Sequence, residues 1–191
     1  SVATGVGPVS LVDSVAALNP AYVHVPIAGI PDAGTAVALC VPGSLDPAVV
    51  SGKIVICQRG VIARVDKSRA VQIANGVGMI MYNNPDSSLN ADFHFVPTVH
   101  VDLASGLAIK AYAATAGPTA TINASTIIYT AAAPFTASFS SRGPLTAGGG
   151  DLLKPDVIAP GQDILAAVSP SINGRDFDLL SGTSMSSPHV A

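Results

Sequence analysis

Leu180-Ser181-Gly182-Thr183-Ser184-Met185-Ser186-Ser187-Pro188-His189-Val190-Ala191 closes the chain, and the rest is read outward from it. The stretch has the chemistry of a serine held at the start of a helix. Gly182 lacks a Cβ, so another backbone can approach it closely. Ser184 then falls in the first helical turn, where backbone N–H groups have no intrahelical partner. Those donors, with the positive end of the helix dipole, suit an oxygen that gains negative charge during a reaction. Pro188 fits an early turn, where a missing N–H costs nothing. The plain alternative is a serine-rich helix cap, since Ser and Thr are favoured there.

A lone Gly-Thr-Ser would leave that alternative ahead. Gly182, Thr183, Ser184, Met185, Pro188 and His189 together resemble the nucleophile motif of subtilisin-like serine peptidases (subtilases), G-T-S-M-x-x-P-H. The resemblance implies that Ser184 is the nucleophile, with Gly182 and Thr183 as substrate-binding neighbours. A serine hydroxyl needs a base to take its proton. Subtilases use a His oriented by an Asp, in the chain order Asp, His, Ser. Both partners, and the family's side-chain oxyanion donor, an Asn, are expected ahead of this segment. His189 lies five residues beyond Ser184 on the same helix, so its ring projects away from the hydroxyl; it is read as a structural residue. Asp163, Asp176 and Asp178 are too near the nucleophile to match the triad Asp and are read as loop residues.

Composition narrows the alternatives. Hydrophobic residues make up 49% of the 191 residues and charged residues 11%, an apolar balance that buried strands account for. No apolar run approaches membrane-spanning length. The net charge of −3, without a basic cluster, gives no footprint for nucleic acid. Every acidic residue is Asp, which removes the Glu base of H-E-x-x-H zinc peptidases and any Glu-based glycosidase pair. His24, His94, His100 and His189 are scattered, so no metal or cofactor is called for. Cys40 and Cys57 are either one disulfide, as suits an exported protein, or two buried thiols.

Several short elements are expected along the chain. Residues 1 to about 36 read as strands and loops, with Tyr22 to Val25 extended. Lys53 to Cys57 reads as a buried strand, Arg64 to Ala74 as a helix closed by Asn75-Gly76, and Val77 to Tyr82 as a second strand. Together they make a right-handed βαβ unit with parallel strands. On the helix, Val65, Val71, Ile73 and Ala74 share the apolar face; Asp66, Lys67 and Arg69 lie elsewhere. Phe95 to Val101 is a strand, Asp102 caps a helix over Leu103 to Ala114, and Thr119–Ile122 and Thr126–Thr130 are β-prone. Asn123-Ala124-Ser125 fits a glycosylation sequon, a triplet common by chance.

This first part resembles the protease-associated (PA) domain inserted in plant-type and related bacterial subtilases. The likeness rests on Cys40, Gly43-Ser44-Leu45-Asp46, Gly52-Lys53-Ile54-Val55, Cys57, Arg59-Gly60, Gly76-Val77-Gly78-Met79 and Asn83. It implies a small, β-rich α/β module that binds partners or guards a neighbouring site and carries no chemistry itself. From Pro134 the composition changes. Phe139-Ser140-Ser141-Arg142-Gly143-Pro144 and Lys154-Pro155-Asp156-Val157-Ile158-Ala159-Pro160-Gly161 resemble the F-S-S-x-G-P and K-P-D-x-x-A-P-G blocks of subtilases. Phe139 then corresponds to a residue on the leaving-group side of the scissile bond; a packed core Phe is the competing reading. Arg142 either bridges an Asp or is solvated. Val157 to Ala159 and Ile164 to Ala166 read as short buried strands.

The fold expected is α/β: a PA-type module over 1–130, then a piece of the parallel subtilisin-like sheet over 131–191. The terminal helix stops after barely two turns, too short to stand alone, and Ser1 to Pro8 lacks a signal-peptide pattern. The chain is therefore read as a fragment of a secreted serine endopeptidase acting on proteins or peptides, inactive alone, with no nucleic-acid or membrane partner. Its tail strands are expected to seek partners, either the PA module or a second copy. A non-catalytic PA binding module is the alternative.

Overall fold

A computed structural model describes residues 5–126, 128–129, 134–170 and 174–191. The chain forms two compact units, Ser1–Leu89 with Phe93–Ile128, and Asn90–Asp92 with Tyr129–Ala191.

The first unit is built on β2 (Ile54–Gln58) and β3 (Gly78–Tyr82). Every side chain of β3, and all of β2 but Gln58, is buried. Strands buried on both faces belong in the middle of a parallel sheet. With β1 (Val6–Asp13), β4 (Thr98–Val101) and β5 (Thr119–Ile122) they form a sheet ordered β4-β3-β2-β1-β5. β1 through β4 run parallel, with Leu11 opposite Ile54, Ile54 opposite Gly78 and Met79 opposite Thr98. β5 closes the other edge antiparallel to β1.

Alternation along each strand sends side chains to two separate cores. Val55, Cys57, Met79 and Met81 face α3 (Arg64–Ile73), meeting Ala70 and Val71. The same core takes Val37 from α1 (Ala33–Ala38) and Val50 from α2 (Pro47–Val50). Ile54, Ile56, Ile80 and Tyr82 face the opposite way, against Leu103, Ile109 and Ala113 of α4 (Leu103–Ala113). Gly106 lets α4 come this close: a Cβ there would stand 2.6 Å from Tyr82 Cγ. The βαβ unit, its parallel strands and the helix after Asp102 are as the sequence implies.

Caps set the helix ends. The carboxylates of Asp32, Asp46 and Asp102 accept from the Thr35, Ala48 and Ser105 N–H groups at 2.6, 2.9 and 2.7 Å, satisfying donors the helices cannot. Asn75, at φ 59°, ends α3. Its N–H reaches the Gln72 carbonyl and the Gly76 N–H reaches Val71, at 3.0 and 2.8 Å, a Schellman ending. Cys40 and Cys57 are joined as a disulfide within the α3-side core. Arg59 and Asn83, both in the PA-like pattern, meet at the carboxyl ends of β2 and β3. Asn83 Oδ1 accepts from Arg59 Nη1 at 3.1 Å and pairs with His100 Nε2 at 2.7 Å.

Several elements differ from expectation. Tyr22 to Val25 forms no strand, and Val23 and Val25 are exposed. β1 is a strand where strands and loops were expected, but helix α1 begins within that same region. Of Thr126–Thr130, residues 127 and 130 lie outside the described residues, and the others form no strand. On α3, Ile73 is exposed, whereas Lys67 is fully buried. Its Nζ donates to the Leu39 carbonyl at 2.8 Å. Leu39 is the C-cap of α1, and a cation is favoured at that negative end of the helix dipole. Helical periodicity alone could not show that a polar position would meet another helix's terminus.

In the second unit, β6 (Ile164–Ala167) and β7 (Phe177–Leu180) pair antiparallel, with Ile164 opposite Leu180 and Ala167 opposite Phe177. The tail thus contributes an antiparallel ribbon, where parallel strands were expected. β6 is a strand but not a buried one, since Leu165 is 60% exposed. Val157 and Ile158 are exposed and non-strand. Their apolar character was read as burial, yet no layer among the described residues of this unit covers them.

Burial holds the Lys67 amine down at about 7, against the opposing pull of Asp66. The folded chain therefore releases a proton that the unfolded chain still holds up to the ordinary lysine range. Stability contributed by this group should rise from about pH 7 to about pH 10 and be flat below. Urea unfolding across that range should show the rise in the native chain and a shallower slope in Lys67→Met; equal slopes would contradict it.

Candidate active site

The site is assembled by the second unit. Helix α5 (Thr183–Val190) begins after Gly182, which makes no side-chain cap. Ser184 therefore stands in the first turn and is exposed. Met185 N–H bonds back to the Gly182 carbonyl at 3.0 Å. Among the described residues the Thr183 and Ser184 N–H groups have no acceptor. Two donors at the positive end of a helix, next to an exposed hydroxyl, can stabilise an anion formed on a group attached to that hydroxyl.

The path into the helix is fixed from the turn before β6. Gly182 N–H donates to the Gly161 carbonyl at 2.8 Å. Ser181 Oγ donates to Asp163 Oδ1 at 2.9 Å and accepts from Asp163 N–H at 2.8 Å. These bonds carry the β6–β7 pairing two residues further, up to the helix. Gly161 is the glycine that close packing demands. A Cβ there would collide with Ser186 Oγ and lie 2.8 Å from the Gly182 carbonyl. Gly182 is different: the nearest atom to an added Cβ is Met185 Sδ at 3.6 Å, and its φ of 160° is ordinary extended backbone. The close approach expected at Gly182 is thus found at Gly161.

Pro188 also departs from expectation. It is the sixth residue of α5, inside the helix. Its missing N–H is the one that would have reached the Ser184 carbonyl four residues back. His189 Nδ1 donates to the Met185 carbonyl at 2.7 Å, a bond within the helix. The other three histidines lie in the first unit with local partners: Ile30 O for His24, Ser68 Oγ for His94 and Asn83 Oδ1 for His100.

Of the expected site residues, Gly182, Thr183 and Ser184 are brought together at the head of α5. Phe139 stands in a separate turn of the same unit, 36% exposed, where Ser140 N–H closes onto the Ala137 carbonyl at 3.0 Å. Arg142 neither bridges an Asp nor stands free; it donates to the Thr136 carbonyl at 3.3 Å. Asp178, read as a loop residue, is a buried member of β7 whose Oδ1 accepts the Leu179 N–H at 2.8 Å. Asp163 is a loop residue, as expected, but neither its bonds to Ser181 nor the packing role of Gly161 was foreseen. The only signal for either was the turn Pro160-Gly161. Among the described residues no group of three or more His, Cys, Asp or Glu is placed to hold a metal, and no helix is long and apolar enough to cross a membrane.

Two known families match overlapping stretches of the chain. The PA domain family matches residues 15–109, and the Subtilase family matches residues 78–191. Subtilisin-like protease SBT1.4 of Arabidopsis thaliana is 44% identical over 169 residues, covering 80% of this chain and 21% of that protein. SBT1.7 and SBT1.6 of the same plant are 42% and 43% identical, covering 80% and 81% of the chain and 22% of each relative. The chain thus spans about a fifth of the length of these relatives.

The two glycines give a stability contrast to measure in the whole protein. Gly161→Ala should cost about 1–3 kcal/mol, because a well-packed neighbour must move. Gly182→Ala should stay within about 0.5 kcal/mol, because an added Cβ would meet only ordinary van der Waals contacts. Thermal unfolding that ranked them the other way would contradict the packing described.

Proposed function

Since this chain belongs to the subtilase family, we propose that the protein containing it is a serine endopeptidase that forms an acyl-enzyme on Ser184. The observation that carries this reading is the exposed Ser184 hydroxyl beside unbonded N–H groups at the start of α5. Ser184 attacks the peptide carbonyl, its Oγ bonding to the carbon. The proton passes to a base supplied by the rest of the protein. The carbonyl oxygen becomes an oxyanion facing the Ser184 N–H, and the leaving amine departs with a proton from that base. Water then releases the acyl group by the reverse sequence. Gly182 and Thr183 line the approach to Ser184, and Phe139 touches the leaving-group side.

The PA-type module, residues 1–130 with their flanking segment, modulates substrate access or binds a partner, and 131–191 is the nucleophile-bearing part of the catalytic domain. Secretion is supported by the Cys40–Cys57 disulfide, a bond that persists in oxidising compartments. The apolar side chains left exposed on and before β6 are covered by other parts of the protein, or by self-association. The isolated chain, without base and orienting Asp, is inactive.

Peptide hydrolysis by the whole protein tests the reading. Ser184→Ala should lower kcat on the order of 10^6-fold, the scale for removing a nucleophile from a unit that works together. The 191-residue chain alone should give no turnover above background. Full activity in Ser184→Ala would overturn the proposal and move the function to binding by the PA-type module.

A further inference from the structure

We propose that Asp163 is a positioning residue for Ser184, acting through the Ser181 hydroxyl. The inference rests on the reading of Ser184 as nucleophile and deepens it. No side chain of the local sequence caps the start of α5. Its N-cap is a glycine without a capping side chain, and its first donors are left for a ligand. The geometry of the first turn has to be imposed from outside, and the imposing contacts converge on the turn before β6.

Asp163 makes two opposite bonds to one hydroxyl. Its N–H donates to Ser181 Oγ at 2.8 Å, and its Oδ1 accepts from Ser181 Oγ at 2.9 Å. A hydroxyl whose donor and one acceptor site are taken by a single residue is held in one rotamer. Both bonds are made with the backbone of Asp163 at φ 54°, the left-handed region that only a few non-glycine residues, Asp and Asn among them, tolerate. The same Oδ1 accepts the Ala91 N–H at 3.0 Å, so the carboxylate is itself fixed from a second direction. Immediately beyond Ser181, Gly182 is tied to Gly161, and Ser186 fills the space beside Gly161. The chain is therefore gripped at residues 181, 182 and 186, and Ser184 lies between the grips. A displacement near 1 Å at a reacting group costs about 100-fold in rate, so a clasp three residues from the nucleophile acts on catalysis without touching substrate.

The test uses the whole protein and steady-state peptide hydrolysis. Asp163→Ala should lower kcat by about 10- to 100-fold with KM nearly unchanged. Asp163→Gly relieves the left-handed backbone but lacks the carboxylate, so it should lose as much as Asp163→Ala. Asp163→Asn keeps both the backbone preference and an acceptor oxygen, and should restore most of kcat. Ser181→Ala should reproduce the loss, and adding Asp163→Ala to it should lower kcat little further. If Asp163→Ala does not fold, Ser181→Ala and Asp163→Asn carry the test. Wild-type kcat in Ser181→Ala, or in the folded Asp163→Ala and Asp163→Gly variants, would overturn the clasp. So would a loss confined to KM. Ser184→Ala run beside them separates the two ideas: if it stays active the nucleophile assignment fails, and if it is dead while the clasp variants are normal only the clasp fails.

Discussion

Burial of β2 and β3 on both faces is the constraint from which the first unit follows. A strand with no solvent face needs cover on two sides, and parallel neighbours need crossovers long enough to supply it. α3 covers one face and α4 the other. Once α3 packs there, its buried side also meets the end of α1, and Lys67 becomes the group that satisfies the Leu39 carbonyl. The disulfide lies in the same core, joining the residue after that cap to the middle of the sheet. The polar cluster of Arg59, Asn83 and His100 in this unit is bonded together, and Arg59 also donates to the Ser88 carbonyl of the following loop.

The second unit works by a different economy of contacts. Its ribbon is small, and many of its apolar side chains are exposed. Yet the few bonds that extend the ribbon past Ile164 and Leu180 end at the head of α5. The order there does not come from a core. It comes from backbone pairing, from one glycine that cannot be larger, and from an aspartate held in a left-handed turn. Pro188 inside the same helix has no N–H to offer the Ser184 carbonyl four residues back, and among the described residues the Thr183 and Ser184 N–H groups have no acceptor. That suits a segment whose partners arrive with a substrate.

How much of this was legible in the sequence follows from the range of each interaction. Ile54 to Cys57 and Met79 to Tyr82 announce buried strands because they are apolar without interruption. Asp102 and Asn75-Gly76 announce helix ends because capping is local. The helix head at Ser184 was legible because its motif is contiguous. Lys67 was not, because its burial depends on a carbonyl twenty-eight residues away. β7 was missed because Asp178 interrupts a short apolar run, and only the pairing with β6 makes it a strand. Val157 and Ile158 misled because a β-branched pair reads as buried wherever it stands. Asp163 and Gly161 were illegible for the same reason as Lys67: their roles exist only once residues 161–163 meet residues 181–186.

The most direct measurement is covalent labelling of the whole protein with a fluorophosphonate probe, followed by peptide mapping. An adduct on Ser184, absent when the 191-residue chain is treated alone, is the predicted result. An adduct on a different serine in the active protein, with Ser184 unmodified, would contradict the account.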